Sequence, residues 1–126
     1  MERILVVEDS SAMRAYVRAT LEAEGDHEVI EAASGLEALR QLPRGPYSLV
    51  ITDINMPDLS GLELVAFIRR SQHKETPIVL ISTEGRDKDR ERGLSLGANA
   101  YLTKPFAPEE LLRTIAPLLA SSTVER

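Results

Sequence analysis

Apolar residues along this chain fall into five short runs, separated by longer stretches in which they recur at helical intervals. The runs cover residues 4–7, 27–32, 49–51, 78–81 and 101–103. They are rich in valine and isoleucine, and most of them do not alternate with polar residues. This pattern predicts five strands that are buried on both faces, as in a parallel sheet.

The stretches between the runs predict helices with recognisable beginnings. Ser10 or Ser11, Ser34 and Ser60 are suited to accept hydrogen bonds from first-turn amides of the first three helices. The apolar residues of the helices recur on one face, which we expect to pack on the sheet. These residues are Met13, Tyr16, Val17, Leu21, Leu36, Leu39, Leu42, Leu64, Val65, Ile68, Leu111, Leu112 and Ile115.

The fourth helix is predicted over residues 86–96 and is mostly polar, whereas the fifth begins near Pro108. Pro117 is expected to kink or end the fifth helix, because proline removes a backbone donor. Five repeats of strand and helix predict an α/β fold, a parallel sheet with helices on both faces and right-handed crossovers. We expect one domain over residues 1–120 and a loose tail over residues 121–126.

The composition of the 126 residues excludes several kinds of site. The chain has no cysteine, which rules out disulfides, thiolate nucleophiles and cysteine-ligated metals. A net charge of -5 disfavours direct binding to nucleic acid, since phosphate neutralisation supplies much of that affinity. No apolar run approaches a membrane span or a signal peptide. We therefore expect a cytoplasmic protein that does not contact membranes.

The candidate chemistry lies where the predicted strands end. Ligands of open α/β sheets bind beyond the carboxyl ends of the strands. At those ends the sequence places three carboxylates, one hydroxyl and one ammonium group. They belong to Glu8, Asp9, Asp53, Ser82 and Lys104. Each residue alone also fits a solvent-facing or capping role, but four different strands contribute to the set.

This set of groups suits phosphoryl transfer assisted by a metal ion. Clustered carboxylates raise one another's pKa unless a cation intervenes, and oxygen-only ligands favour Mg²⁺. A carboxylate beside Mg²⁺ can attack a phosphoryl donor and form an aspartyl phosphate. The Lys104 ammonium and the Ser82 hydroxyl would help to neutralise and position the transferring oxygens.

Four segments of the chain resemble the receiver domain of two-component response regulators, in particular the single-domain, CheY-like receivers of chemotaxis. The segments are ILVVEDS, LVITDINMPDLSG, PIVLISTEG and GANAYLTKPF, and the resemblance covers essentially the whole chain. It implies the flavodoxin-like, doubly wound (βα)5 fold, with a five-stranded sheet in the order 2-1-3-4-5.

The resemblance also implies roles for the residues that bind metal and phosphate. Asp53 is similar to the phosphoacceptor of the family. Asp9 would ligate Mg²⁺ directly, Glu8 would act through water, and Asn55 would contribute its backbone carbonyl. The acidic pair is Glu-Asp here, whereas Asp-Asp is the other common form.

Further roles follow from the same resemblance. Ser82 and Lys104 would contact the phosphoryl group, with a cis peptide bond between Lys104 and Pro105. Tyr101 would be the switch aromatic that turns inward when Ser82 moves. Asn55 and Glu84 occupy positions that modulate the lifetime of the phosphoryl group.

The resulting functional hypothesis is a phosphorylation-dependent signalling switch without classical enzyme activity. A histidine kinase or phosphotransfer protein would phosphorylate Asp53. The chain would also dephosphorylate itself, because water would hydrolyse the aspartyl phosphate. The surface of the last two helices and the fifth strand would then change its affinity for a separate protein. Chemotaxis or motility is the favoured pathway.

Three other functions remain open at this point. An aspartyl-phosphate phosphatase would use similar chemistry, but Asn55 leaves no acid at the next-but-one position. A flavin-binding module would need a neutral phosphate loop after the first strand, where Glu8 and Asp9 stand instead. A degenerate receiver would bind partners without phosphate, against which the intact set of strand-end residues argues.

Overall fold

Five parallel strands form one sheet in the order β2-β1-β3-β4-β5, in a computed structural model that describes the backbone of residues 2–83 and 87–124 and the side chains of residues 2–83 and 87–120. The strands are β1 Glu2–Val7, β2 His27–Ala32, β3 Leu49–Asp53, β4 Ile78–Ser82 and β5 Ala100–Thr103. Both the predicted fold class and the strand order are confirmed.

Helices follow each strand, as the repeated pattern predicted. They are α1 Ser11–Glu24, α2 Gly35–Gln41, α3 Gly61–Arg69, α4 Asp87–Leu96 and α5 Pro108–Val124, and a short 3₁₀ turn, Leu42–Arg44, follows α2. None of the helices in the described ranges is long and apolar enough to cross a bilayer.

The sheet separates two apolar layers, because successive side chains of a strand point to opposite faces. On one face Leu5, Val50 and Leu80 pack with residues of α2 and α3. On the other face Ile4, Ile51 and Val79 pack with residues of α1 and α5. All six strand residues have no solvent exposure. Burial on both faces explains why the strand runs are continuously apolar.

Serine caps begin the first three helices. Ser10, Ser34 and Ser60 each accept a hydrogen bond from the third backbone amide of the helix that follows. At α3 the Glu63 side chain also accepts from the Ser60 amide, which completes a reciprocal capping box. These caps satisfy amides that have no partner inside the helix and fix where each helix starts.

Two features of the helices differ from the predictions. Leu36 was predicted to face the core, but it is 51% exposed. The buried side of α2 runs through Gly35 and Ala38 and continues to Leu42 in the 3₁₀ turn, and Leu36 lies about 100° around the helix from Gly35.

The last helix also differs, because it neither ends at Pro117 nor gives way to a tail at residue 121. It continues to Val124 with Pro117 inside it. Pro117 and Arg113 are both exposed, so water can bond the carbonyl that proline leaves without a donor. The predicted start of the fourth helix, residue 86, lies outside the described residues.

Candidate functional site

The register of the sheet brings four strand ends to one edge. Val7 pairs with Thr52, Asp53 with Ile81, and Ser82 with Thr103. The ladder continues beyond β5, because the Lys104 amide donates to the Ser82 carbonyl at 2.7 Å. The peptide bond between Lys104 and Pro105 is cis, as predicted, and a second cis bond joins Gly45 and Pro46.

Three carboxylates meet at this edge. One oxygen from each of Glu8, Asp9 and Asp53 lies within 4.8 Å of the other two. Glu8 has no solvent exposure and Asp53 is 4% exposed, whereas Asp9 is exposed. The cluster therefore combines two buried, desolvated carboxylates with one carboxylate that is open to solvent.

The Glu8 carboxylate is fully engaged by donors. Its Oε2 accepts from the Ser10 amide at 3.0 Å, and its Oε1 accepts from Lys104 Nζ at 2.6 Å. Burial raises the pKa of Glu8, while the hydrogen bonds from Lys104 and Ser10 oppose that shift. Glu8 thus holds the Lys104 ammonium group and the start of the loop that carries Asp9.

The Asp53 carboxylate is only partly satisfied. Its Oδ2 lies 3.6 Å from Lys104 Nζ, but its buried Oδ1 has no hydrogen-bond partner within the described part of the chain. Burial raises the pKa of Asp53, the Lys104 charge and an Asn55 backbone bond lower it, and Asp9 raises it further. A buried oxygen without a donor, beside two more carboxylates, is a donor set that fits a hard divalent cation.

Polar residues close the cluster on the side of β4. Ser82 is buried and accepts a hydrogen bond from the exposed Asn55 side chain, with an Nδ2–Oγ distance of 3.4 Å. Tyr101, half-buried, packs against the apolar layer that includes Leu80. Glu84, the other predicted lifetime modulator, lies outside the described residues.

The structure brings six of the predicted site residues to one edge of the sheet. Each is the last residue of a strand or lies within two residues of a strand end. These residues are Glu8, Asp9, Asp53, Asn55, Ser82 and Lys104. Gly61 permits the closest backbone approach to the site: a Cβ there would lie 2.2 Å from the Asp53 carbonyl oxygen.

Two residues that support the site were not found from the sequence. Arg14 donates to the Glu8 carbonyl oxygen at 2.8 Å and to Glu31 Oε1 at 2.9 Å, which ties the end of β1 to β2. Asp58 accepts from the first amides of α2. The bonds from Arg14 to Glu31 and from α2 to Asp58 join segments distant in the chain, so no local pattern signals them.

Comparison with known proteins places these features in a family. The response regulator receiver domain matches residues 4–116. Chemotaxis protein CheY1 of Helicobacter pylori (strain ATCC 700392 / 26695) is 39% identical, over 95% of this chain and 98% of that protein.

Solved structures give the same result. CheY4 of Vibrio cholerae, crystallised at low pH, is 39% identical with a TM-score of 0.87, and covers 94% of this chain and 98% of its own. A BeF3-activated DrrB receiver domain is 30% identical with a TM-score of 0.86, and covers 95% and 98% respectively. The chain belongs to the response regulator receiver domain family, whose members are signalling switches of two-component systems.

Proposed function

We propose that this chain is a phosphorylation-dependent switch in which Asp53 accepts a phosphoryl group from a histidine kinase or a phosphotransfer protein. The observation that carries the proposal is the buried Asp53 Oδ1, which has no hydrogen-bond partner among the described residues and lies in a cluster with Glu8 and Asp9. A desolvated carboxylate oxygen without a hydrogen-bond donor is poorly stabilised. It is therefore suited to receive either a cation or a covalent partner.

The acidic cluster would hold Mg²⁺ through Asp9, Asp53 and the Asn55 backbone carbonyl. Glu8 would contribute through water, because both of its oxygens already accept hydrogen bonds. When bound, Mg²⁺ neutralises charge on the phosphoryl oxygens. Asp9 is exposed, so the cluster can be reached from solvent.

Phosphoryl transfer then needs only a nucleophile, positioning and charge neutralisation. An Asp53 carboxylate oxygen attacks the phosphorus of a phosphohistidine; the phosphorus–oxygen bond forms as the phosphorus–nitrogen bond breaks. The imidazole nitrogen keeps the electron pair of the broken bond. The Lys104 ammonium, 3.6 Å from Asp53 Oδ2, balances the added negative charge. Hydrolysis by water restores the carboxylate, and Asn55 and Glu84 modulate its rate.

The conformational response starts at Ser82 and Lys104. The Lys104 amide donates to the Ser82 carbonyl at 2.7 Å, which joins the ends of β4 and β5. A phosphoryl group that contacts both side chains would therefore act on these two strand ends together. Tyr101 follows Ser82 inward, and the surface formed by α4, β5 and α5 changes its affinity for a downstream protein. The phosphoryl group achieves this by favouring one of two pre-existing conformations.

Chemotaxis or motility is the pathway that we propose, because CheY1 and CheY4 are chemotaxis proteins. The partner would be a separate cytoplasmic protein. The net charge of -5 disfavours direct contact with nucleic acid. Apart from the phosphorylation and dephosphorylation of its own aspartate, the chain would have no enzyme activity.

Labelling with a small phosphodonor tests the proposal. Acetyl phosphate with Mg²⁺ should add one phosphoryl group, detected by intact mass spectrometry, and Asp53→Asn should abolish the addition. Asp87→Asn, which changes an exposed carboxylate in the first turn of α4, serves as the matched control and should be labelled normally. Continued labelling of Asp53→Asn would contradict the proposal, as would steady turnover of an added phosphate monoester.

A further inference from the structure

The loop between β3 and α3, residues 54–60, is attached to a distant helix through one side chain. The Asp58 carboxylate accepts from the Gly35 amide at 3.3 Å and from the Leu36 amide at 3.0 Å. It also accepts from the Leu59 amide of its own loop at 2.7 Å. Three backbone donors from two segments therefore share one carboxylate.

Close backbone packing accompanies these hydrogen bonds. A Cβ at Gly35 would lie 2.5 Å from Leu59 Cβ and 2.8 Å from the Leu59 carbonyl oxygen. Only glycine lets the start of α2 approach the loop this closely. Leu59 also packs against the apolar layer beneath α2 and α3. Asp58 and Gly35 together fix the tip of the loop on α2.

The base of the loop is fixed independently. The Gly61 amide donates to the Ile54 carbonyl at 2.8 Å, and the absence of a side chain at Gly61 allows the contact with the Asp53 carbonyl. Asn55 lies between the fixed base and the fixed tip. Asn55 follows Asp53 by two residues, and its side-chain Nδ2 donates to Ser82 Oγ at 3.4 Å.

We propose that Asp58 is a positioning residue for metal binding: by holding the loop on α2, it keeps the Asn55 backbone in register with Asp53 and Asp9. This inference rests on the proposed function and extends it to a residue outside the acidic cluster. Residues that orient metal ligands without touching the metal commonly change metal affinity by about 10- to 100-fold. Asp58 acts at the lower end of that range, because its side chain is exposed.

The coupling works in both directions. If attachment of the loop to α2 raises the affinity for Mg²⁺ by some factor, then bound Mg²⁺ must favour the attached loop by the same factor. Adding Mg²⁺ to the wild-type chain should therefore slow hydrogen exchange of the Gly35 and Leu36 amides. The Glu37 amide, which donates to Ser34 within the same helix, should be affected less.

The alternative is that Asp58 only stabilises α2, and Ser34 supplies the control for this. Ser34 Oγ caps the same helix by accepting from the Glu37 amide at 3.0 Å, and its cap does not involve the loop. Three variants, Asp58→Ala, Asp58→Asn and Ser34→Ala, are titrated with Mg²⁺ alone by calorimetry. Exchange of the Gly61 amide is measured in the metal-free proteins, since Asp58 does not accept from that amide.

We expect Asp58→Ala to weaken Mg²⁺ affinity about 10-fold and to speed exchange of the Gly61 amide. Asp58→Asn keeps one acceptor oxygen, which can still accept from the Gly35 and Leu59 amides but leaves the Leu36 amide without its acceptor, so it should recover part of both losses, and Ser34→Ala should change neither. Equal losses in Asp58→Ala and Ser34→Ala would overturn the inference in favour of helix capping. Wild-type protein that binds no Mg²⁺ would overturn the proposed function itself. Unchanged Gly61 exchange in metal-free Asp58→Ala would overturn the attachment of the loop.

Discussion

Lys104 is bonded to Glu8 more closely than to Asp53. The Lys104 ammonium nitrogen lies 2.6 Å from Glu8 Oε1 but 3.6 Å from Asp53 Oδ2. The Glu8 side chain has no exposure and that of Lys104 is 11% exposed, so this ion pair is almost fully desolvated. Lys104 can thus turn toward a phosphoryl group on Asp53 while Glu8 keeps its bond from the Ser10 amide.

Replacing Lys104 should separate metal binding from the conformational response. We expect Lys104→Ala to bind Mg²⁺ nearly as well as the wild type, because the ammonium group is not a ligand. The response to a phosphoryl mimic should be lost, since Lys104 links the group on Asp53 to the end of β5. Beryllofluoride-induced chemical shift changes at Tyr101 and Leu94 measure this response. Full shifts in the variant would show that Lys104 does not have this role.

The same substitution should lower stability, because it leaves the buried Glu8 carboxylate without its cation. Removal of one partner of a buried ion pair costs about 3–5 kcal/mol. We expect a loss near the lower limit, measured by urea unfolding at neutral pH. The double variant Glu8→Gln, Lys104→Ala should recover much of the loss. If the double variant is as unstable as the single one, lost packing rather than unpaired charge is the cause.

Neutralising Asp53 should stabilise the chain in a pH-dependent way. Burial raises the pKa of Asp53 above its ordinary value of 3.8. At neutral pH the folded state carries a buried charge that the unfolded state keeps in water, so ionisation opposes folding. As pH falls through the raised pKa toward 3.8, the folded carboxyl takes up a proton first and this penalty disappears.

Asp53→Asn should therefore be more stable than the wild type at pH 7, and the difference should shrink as pH falls toward 3.8. Urea unfolding across this range gives both curves. The raised pKa of Glu8 acts in the same direction in both proteins, but less so in Asp53→Asn, because the Asp53 charge is one of the causes that raise it. If the difference in unfolding free energy between the two proteins grew on acidification, Asp53 would not be buried in its charged form at neutral pH.

Bound Mg²⁺ should offset the cost of burying the ionised Asp53 carboxylate in the wild type. A ligand that binds only the folded state at about 100 times its dissociation constant adds about 2.7 kcal/mol to the unfolding free energy. We expect an increase of that order with Mg²⁺, removal of the increase with EDTA, and a much smaller increase in Asp53→Asn. Equal stabilisation of both proteins would place the ion away from Asp53.

Two glycine substitutions should differ in their effect on stability. Gly61→Ala would place a Cβ 2.2 Å from the Asp53 carbonyl oxygen and 2.9 Å from Ile54 Cα, which are backbone atoms that cannot turn aside. We expect it to lose about 1–3 kcal/mol of stability and to slow labelling by acetyl phosphate.

Gly93→Ala serves as the comparison. Its Cβ would meet Leu80 Cδ1 at 2.4 Å, but this atom is the end of a flexible side chain. The better helix propensity of alanine, about 1 kcal/mol, offsets the adjustment, so we expect little net change in stability and normal labelling. A larger loss in Gly93→Ala than in Gly61→Ala, by thermal or urea unfolding, would contradict this ordering.

Much of the fold was predictable because its signals are local. Burial on both faces made the β1, β3 and β4 runs continuously apolar, and serines marked the helix starts at Ser10, Ser34 and Ser60. The strand order came from the resemblance to receiver domains. Leu36 was predicted wrongly, and α5 runs past Pro117 instead of ending there, for a shared reason. Their surroundings depend on which side of each helix meets the sheet and which side meets water, and propensity alone does not decide this.

By itself, the sequence determined which residues end the strands, and thereby that Glu8, Asp9, Asp53, Ser82 and Lys104 meet at one edge. That result follows from chain order and strand direction alone. Tertiary structure decided the preference of Lys104 for Glu8, the absence of a partner for Asp53 Oδ1 among the residues that the structure describes, and the attachment of Asp58 to α2. Each of these depends on atomic distances of 2.6 to 3.6 Å between segments far apart in the chain, and such distances are set only when the two apolar layers pack.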